Sequence, residues 1–364
     1  MKLLPSLLGE GDQAKPGAGV ISESVLPSTA LRAVPLPETS SGRTEGFQSL
    51  LASPKCGPMH PDLAILYEHP TWFEPFFSAL ERRGVSYDAI RLSDHGFDPA
   101  STAIPAPVVL SRVAMSSFVR EAEHGIFYAE ALLAHWAANG ARVLNGADTI
   151  AVDSSKARQL SLISRLGYSL PETRVVHRRQ DLLAAAATMR WPLLVKANIG
   201  GSGAGIVRYG SEAELAAAIA DGTVPESVDS VLLIQDYVSA RGGAITRVET
   251  LGGKFLYAIE VESGGDSFDL CPADACLAGP GRAAARMTAV TPPNELVEAA
   301  ERIARAARLD VGGVEYLIDD RDGTARFYDI NALSNFVAKP LDVLGWDPHD
   351  RLVDFLEAAI REGR

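Results

Sequence analysis

Cysteine is scarce in this chain: three in 364 residues, at Cys56, Cys271 and Cys276. Three thiols are too few, and odd in number, for a disulfide framework, which points to a reducing compartment, the cytoplasm. Cys271 and Cys276 come without a histidine or a second cysteine pair, which argues against structural zinc. Long apolar runs are missing as well. No stretch approaches the ~20 apolar residues that a bilayer-spanning helix needs, and in the opening MKLLPSLLGEGD acidic residues arrive too early for a secretory signal. There is no run of lysine and arginine, and 46 acidic against 34 basic residues give a net charge of −12. That balance argues against nucleic acid or an anionic membrane as the main partner, while leaving room for a local basic pocket. The chain shows no internal repeat.

What is present is ordinary globular composition, 47% hydrophobic and 22% charged, with enough apolar residues for two or three cores. Residues 1–57 are rich in Pro, Gly, Ser and Glu without a sustained period and read as a disordered extension, with a docking or regulatory role as the sharper alternative. From Asp62 the pattern alternates strand and helix: LAILY, a helix over residues 71–84 with Thr71 and Glu74 as a capping box, YDAIRL, PVVLS, a helix over residues 118–138, and ARVLN. This predicts a small parallel α/β domain over residues 58–150. A helix opening at Lys156, the strand TRVV, a helix over residues 180–189, the strands LLVKA and GIVRY, a helix capped by Ser211 and Glu214, and the strand VLLIQDYV fill residues 151–238. The last part, 239–364, holds an antiparallel pair (RGGAITRVET and KFLYAIEVE), a mobile loop over 263–292, an amphipathic helix over 295–309, a hairpin, and a final helix from Pro348.

The hairpin is the chemically densest stretch, GGVEYLIDDRDGTARFYDIN over residues 312–331. Its strands VEYLI and ARFYDI flank turn residues centred on Asp322-Gly323. Alternation puts Phe327, Asp329 and Asn331 on one face and Glu315 with Leu317 on one face. A three-residue loop sets Glu315 opposite Asp329; a two-residue turn shifts that register by one. Facing carboxylates repel, and with an amide oxygen beside them they form the hard oxygen set that Mg²⁺ takes together with substrate phosphates. An exposed polar face is the alternative.

A second signal lies between LLVKA and GIVRY, where Gly200, Gly201, Gly203 and Gly205 crowd one loop. Such backbone can turn its N–H groups toward phosphate oxygens, and Lys196 stands on the strand entering it. No Gly-Lys-Ser/Thr closes the loop as in a P-loop, a strand rather than a helix follows it, unlike a dinucleotide fingerprint, and no kinase catalytic-loop motif is present. Lys156 and Arg247 are further candidate phosphate ligands. Gln235-Asp236-Tyr237-Val238 offers extended backbone with an apolar lining for an adenine edge and face.

In this order the pieces resemble the ATP-grasp superfamily over about residues 60–364, and LNGADTIAVDSSKARQLSLISRLGYSLPET looks nearest to its RimK-like and glutathione-synthetase-like carboxylate–amine ligases. The resemblance implies an α/β fold: a small parallel α/β domain followed by two α+β subdomains that sandwich ATP. It implies nucleotide contacts from Lys156, Lys196, Gly201, Ser202, Gly203, Gly205, Gln235, Asp236, Tyr237, Val238 and Arg247, with Lys196 and Arg247 also acting in catalysis. Glu315, Asp329 and Asn331 are the implied ligands of Mg²⁺, two ions, with Mn²⁺ as an alternative. The implied reaction activates a carboxylate as an acylphosphate and joins it to an amine, on small-molecule or peptide substrates, and a homo-oligomer is the common state of relatives. Other ATP-grasp chemistry (a kinase or thiol ligase) and a non-catalytic nucleotide-binding module are the alternatives.

The chain departs from the family pattern in three places. Ile245 stands where an acidic ribose ligand is common, with Asp236 as a substitute. Glu315 stands where Asp is common. ALSNFVAKPLD follows the metal Asn in place of a Ser-Pro-Gly-like segment, which suggests an unusual substrate. Substrate candidates are Arg112, beyond the strand PVVLS at the crevice of the parallel sheet, and Arg282, Arg286, Asn335 and Lys339.

Overall fold

A near-continuous apolar run, LAILY, forms β1 (Leu63–Tyr67) and is buried on both faces, as strands of parallel sheets are. The structure is a computed structural model that describes residues 61–69, 71–118, 123–201, 203, 205–262 and 286–363. All of these belong to a compact unit spanning residues 49–364. The expectations for residues 1–57, for the 263–285 part of the expected mobile loop, and for Ser202, Arg282 and the three cysteines fall outside the described residues.

β1 is followed by α1 (Glu74–Arg82), β2 (Asp88–Arg91), β3 (Val108–Arg112), α2 (Gly125–Ala138) and β4 (Arg142–Leu144). The strands form a parallel sheet in the order β2-β1-β3-β4. The capping box expected at Thr71 is replaced by a different device. His69 Nδ1 accepts the backbone N–H groups of Thr71 and Trp72 at 3.2 and 3.1 Å, and the helix starts later, after Phe73. α2 begins at Gly125, and a separate 3-10 turn occupies Met115–Ser117. Arg112 lies inside β3 rather than beyond it.

A helix that the sequence reading missed, α3 (Ala147–Asp153), leads into α4 (Lys156–Arg165), whose N-terminus is capped by Ser155 accepting from Arg158 N. β5 (Thr173–Val176), a short α5 (Leu182–Ala186), β6 (Leu193–Ala197), β7 (Ile206–Tyr209), α6 (Glu212–Ala220) and β8 (Leu232–Asp236) build an antiparallel sheet ordered β5-β8-β6-β7. α6 is capped as expected, with Ser211 Oγ accepting from Glu214 N at 3.3 Å.

The third sheet contains β9 (Ala244–Leu251), β10 (Lys254–Glu262), β11 (Arg286–Val290), β12 (Val311–Ile318) and β13 (Ala325–Asn331), in the order β11-β10-β9-β12-β13. β11 corrects the expectation of a mobile loop through residue 292: Arg286–Val290 pairs with β10 from Glu262 to Ala258. α7 (Asn294–Ala306) buries Ala299, Ala300, Ile303 and Ala304 against Val248, Val314, Phe327 and Ile330 on one face of this sheet. After a short α8 (Pro340–Val343), α9 (Pro348–Gly363) packs Leu352, Val353 and Leu356 with Ile245 and Ile259 from the other face and with Leu63, Ile65 and Leu110 of the parallel sheet. Each fully buried Leu or Ile there contributes about 1.5–3 kcal/mol.

Polar clamps fix the parallel sheet to the third one. Asn145, buried and at φ 50°, accepts from Asp310 N and Val311 N and donates to the carbonyls of Val311 and Ala332. Among the described residues no helix is long and apolar enough to cross a membrane.

Candidate active site

The β12–β13 hairpin places Glu315 opposite Asp329 and Gly313 opposite Asn331. It reaches that register by an unexpected route. The turn is longer than a three-residue loop, so Ile318 faces Ala325. A bulge then takes up one extra residue on β13, at Tyr328, and restores the pairing of the two acids. The bulge also corrects the expected face. Phe327 turns into the core against Tyr316 and Tyr168, with ring centroids 5.3 and 5.6 Å apart. Tyr328 joins Asp329 and Asn331 instead, its hydroxyl donating to Glu315.

These residues belong to one hydrogen-bonded cluster. Lys156 Nζ lies 2.7 Å from Asp329 Oδ1, and Asn331 Nδ2 is 3.3 Å from both Asp329 Oδ2 and Glu315 Oε1. Arg247, only 4% exposed, donates through Nη1 to Glu315 at 3.0 Å and through Nε to Glu249 at 2.6 Å. Ser334 Oγ donates to the same Glu249 oxygen at 2.8 Å. Glycine is required on the neighbouring strand, because a Cβ on Gly313 would stand 2.7 Å from Arg247 Nε.

Two local devices bring the lysines together. Asn198, just past β6, accepts from Ala157 N at 2.9 Å, and its carbonyl accepts from Lys156 N at 3.2 Å. The α4 terminus carrying Lys156 is thereby tied to the strand carrying Lys196. On the other side of α4, Gln159 bonds the backbone of Ile330 in β13. Lys196 is buried, with Nζ 5.8 Å from the Tyr328 ring centroid. Burial, and then the neighbouring Lys156, lower its pKa from 10.5 to about 8. Burial works against the Lys156 ammonium too, but Asp329, Glu315 and Asp153 together more than offset it and the net shift is upward. Burial and then Asp329 raise Glu315, with Arg247 opposing. Asp153, at the end of α3, is pushed up to about 7 by burial and then by Asp329.

The remaining candidates divide. A Cβ on Gly201 would stand 2.8 Å from Ser116 Cβ, so the glycine loop lies directly against the segment after β3. Gly203 and Gly205 both take φ of 73°. In the linker, Gln235 Nε2 donates to Thr173 Oγ1 at 2.8 Å, and Asp236 pairs with Arg321 at 2.8 Å. Tyr237 carries the Arg208 guanidinium over its ring at 4.2 Å, and Val238 is buried. Ile245 lies in the core. Arg286 is exposed on the outer strand β11, and Lys339 is exposed before α8, so neither joins the cluster. Arg112 is buried at the end of β3, and Asn335 is half-buried in the loop after β13.

Sequence reasoning missed Tyr328, Glu249, Gln159, Asn198 and Asp153. Only Glu249 left a readable signal: two residues beyond Arg247 on one strand, it must share that face.

The family model of the RimK-like ATP-grasp domain matches residues 153–340, from the end of α3 through the loop after the hairpin. The chain belongs to the RimK-like ATP-grasp family. It is 29% identical over 196 residues to the ribosomal protein bS6–L-glutamate ligase of Shigella boydii, covering 54% of this chain and 61% of that one. It is 28% identical over 192 residues to a probable alpha-L-glutamate ligase of Stutzerimonas stutzeri, covering 52% and 60%. The chain thus matches about three fifths of the length of these RimK-like relatives. Among solved structures, the ATP-grasp ligase PsnB complexed with a minimal precursor superposes with a TM-score of 0.61 at 16% identity, over 82% of this chain and 99% of that one. The D-alanine–D-alanine ligase of Bacillus anthracis complexed with ATP gives 0.59 at 15% identity, over 84% and 99%. The fold is therefore that of the ATP-grasp ligases, mixed α/β with one parallel and two antiparallel sheets.

Proposed function

We propose that this chain is an ATP-dependent, ADP-forming carboxylate–amine ligase. The observation that carries the reading is the register-matched pair Glu315 and Asp329 with Asn331 beside them, faced by Lys156, Lys196 and Arg247, in a RimK-like ATP-grasp chain. Two carboxylates opposite one another, Glu315 buried and Asp329 half-buried, repel unless cations attend them. Here an ammonium and a guanidinium already do. The donor set of two carboxylates and an amide suits a hard divalent cation that keeps places open for phosphate oxygens. Glu315, Asp329 and Asn331 would hold Mg²⁺, one or two ions, with Mn²⁺ as a substitute. Bound there, the metal neutralises phosphate charge.

In the reaction, an oxygen of the acid substrate's carboxylate attacks the γ-phosphorus, and the bond to ADP breaks. The amine then attacks the acyl carbon. Inorganic phosphate leaves with the C–O bonding pair, and the amine gives up a proton. The chain's own share is positioning and charge neutralisation, which dominate phosphoryl transfer. Lys196 and Arg247 hold phosphate oxygens, Lys156 balances Asp329, and the loop through Gly201, Gly203 and Gly205 covers the phosphates and excludes water, which would hydrolyse an acylphosphate. Gln235–Val238 line the adenine. The proposal includes a division into parts spanning residues 58–150, 151–238 and 239–364, with nucleotide between the last two.

The substrates are an amino acid or peptide carboxylate and an amine. The relatives named above are glutamate ligases, so L-glutamate is the first amine to try. The test is ADP release by purified protein from MgATP with pooled amino acids, peptides and small carboxylic acids, followed by mass analysis. Release that needs acid and amine together, with a product equal to their sum minus water, supports the ligase. ADP release with a phosphorylated product and no condensation would overturn it.

A further inference from the structure

Arg112 is a buried cation whose donors are not used up. It ends β3, beside Tyr67 at the end of β1, where the strand order of the parallel sheet reverses. Open parallel sheets take ligands in the crevice at that point. The residue is 2% exposed, yet Nε and Nη1 have no hydrogen-bond partner among the described residues. Nη2 donates to the carbonyl of Ser334, in the loop that follows the candidate metal ligand Asn331. A guanidinium stays charged, and a buried charge with unmet donors is costly.

The nearest structural explanation is an ion pair with Glu249, whose charge Arg112 feels. The geometry argues against that as its purpose. Glu249 Oε2 is also buried without a partner among the described residues, and the two groups do not bond to each other. Ser334 stands between them, its carbonyl on Arg112 and its hydroxyl on Glu249. The loop is pinned in this position: Phe336, at φ 59°, donates its N–H to Ser334 Oγ at 3.0 Å, and Val337 donates to the Tyr257 hydroxyl at 3.0 Å. Asn335, next to Ser334, contributes a buried side-chain oxygen that also lacks a partner among the described residues. A fixed guanidinium with spare donors, and a spare acceptor one residue from the carbonyl it holds, make a preorganised receptor for an anion with an N–H close to it. Gly201, at the start of the glycine loop, lies against Ser116, four residues beyond Arg112.

We propose that Arg112 receives a second, non-reacting carboxylate of one of the two substrates, with Asn335 accepting an adjacent N–H. The assignment rests on the ligase reading and narrows it: one substrate carries a carboxylate that is recognised and not consumed. An amino acid whose amine is the acceptor fits, as does a dicarboxylic acid of which one end reacts.

The test is calorimetric titration of the full chain, saturated with MgADP, against matched probes. L-amino acids are each paired with their α-amides, and succinate and glutarate with their monoamides. At least one probe is expected to bind about tenfold to a hundredfold more tightly as the free carboxylate, the range for a charge-assisted contact. A preference among the amino acids assigns the group to the amine substrate; a preference among the dicarboxylates assigns it to the acid. Arg112→Gln is expected to reduce the preference to less than threefold. Arg112→Lys keeps the charge and loses the fork, and is expected to reduce it at least threefold. If the glutamine variant lacks a cooperative thermal transition, the lysine variant decides. A wild-type protein with no carboxylate preference in any pair, or variants that keep it, overturns the proposal. Failure of MgADP to bind counts against the ligase reading alone, and the probes are then titrated against the free protein, where the preference still reports on Arg112.

Discussion

The side chain of Gln159 completes the outer strand of the third sheet at Ile330, accepting its N–H and donating to its carbonyl, both at 3.0 Å. The two residues are 171 positions apart. Gln159 lies one turn after Lys156 on α4, so the bond that docks the helix also aims the lysine at Asp329. Gln159→Ala leaves a buried N–H and C=O unpaired, at about 1–3 kcal/mol each. The expected result is a loss of roughly 2–4 kcal/mol in urea denaturation and a raised KM for MgATP, because Lys156 loses its alignment. Unchanged stability would mean that water replaces the side chain without penalty.

Asp329→Asn keeps the shape of the cluster and removes one of the two facing carboxylate charges. The metal's neutralisation of phosphate is worth several kcal/mol in the transition state, so turnover is expected to fall at least about a thousandfold. Far-ultraviolet circular dichroism should stay that of the parent, since the asparagine amide can still meet Asn331. ADP release at more than a tenth of the parental rate would remove Asp329 from the metal site.

Lys196 gives the nucleotide site a pH dependence with a definite sign. Its pKa is about 8 when folded against an ordinary 10.5. Between those values the unfolded chain holds more protons, so the stability of the free protein is expected to rise with pH from about 8 to 10.5. MgATP needs the charged form. Its affinity should therefore fall as pH rises through about 8, and binding near pH 9 should take up a proton, visible as a buffer-dependent heat. Lys196→Met should abolish both effects and stabilise the free protein at pH 7 by roughly 1–3 kcal/mol, by removing a buried charge.

The chain order of the chemistry was legible because each piece is local: a lysine before a glycine loop, a strand arginine, and acids on a hairpin. Element types followed from periodicity, as in β6 and β10, whose residues are those predicted. What escaped depends on geometry that a period of two does not carry. One extra residue at Tyr328 exchanged it for Phe327 on the site face. The strand β11 was hidden because Arg286–Val290 alternates weakly and is mostly exposed on an outer strand. The clamps Gln159–Ile330 and Asn145–Asp310 join positions more than 160 residues apart, and a single Gln or Asn has no local signature for such a role.

Tyr328 makes the bulge a testable part of the site. Its hydroxyl donates to Glu315, and burial followed by Glu315 holds its pKa well above the ordinary tyrosine value, so it stays a donor across the working range. Tyr328→Phe removes that bond and leaves the ring near Lys196. Groups that orient a metal-holding carboxylate change affinity by about ten to a hundredfold. The variant is expected to need about tenfold more Mg²⁺ for half-maximal ADP release, with maximal rate restored at saturating metal. A lowered rate that excess Mg²⁺ does not rescue would place the hydroxyl in another role.

Arg321 ties the nucleotide linker to the turn of the metal hairpin. It lies 2.8 Å from Asp236 at the end of β8 and 2.8 Å from Asp319, a fully buried carboxylate that Arg326 also holds at 2.7 Å. The hydrogen bonds from Arg321 keep Asp319 well below the usual carboxylate range, despite its burial. Its contribution to stability is therefore full above about pH 4 and is lost as pH falls through the depressed folded value. Arg321→Gln frees Asp236 while Arg326 still pairs Asp319. Because Arg321 is one-third exposed, the stability loss should be about 1 kcal/mol after solvent screening. The linker, however, loses its outer anchor. The expected signature is a three- to tenfold rise in KM for MgATP with kcat unchanged, since no group that meets the transferring phosphate has moved. Asp319→Asn should instead flatten the stability profile below pH 4 and destabilise the protein at pH 7 by about 1–3 kcal/mol, because it removes the shared partner of two partly exposed arginines that keep Asp236 and Asp322. If Arg321→Gln lowered kcat and left KM untouched, the clamp would be acting on the metal hairpin rather than on the linker.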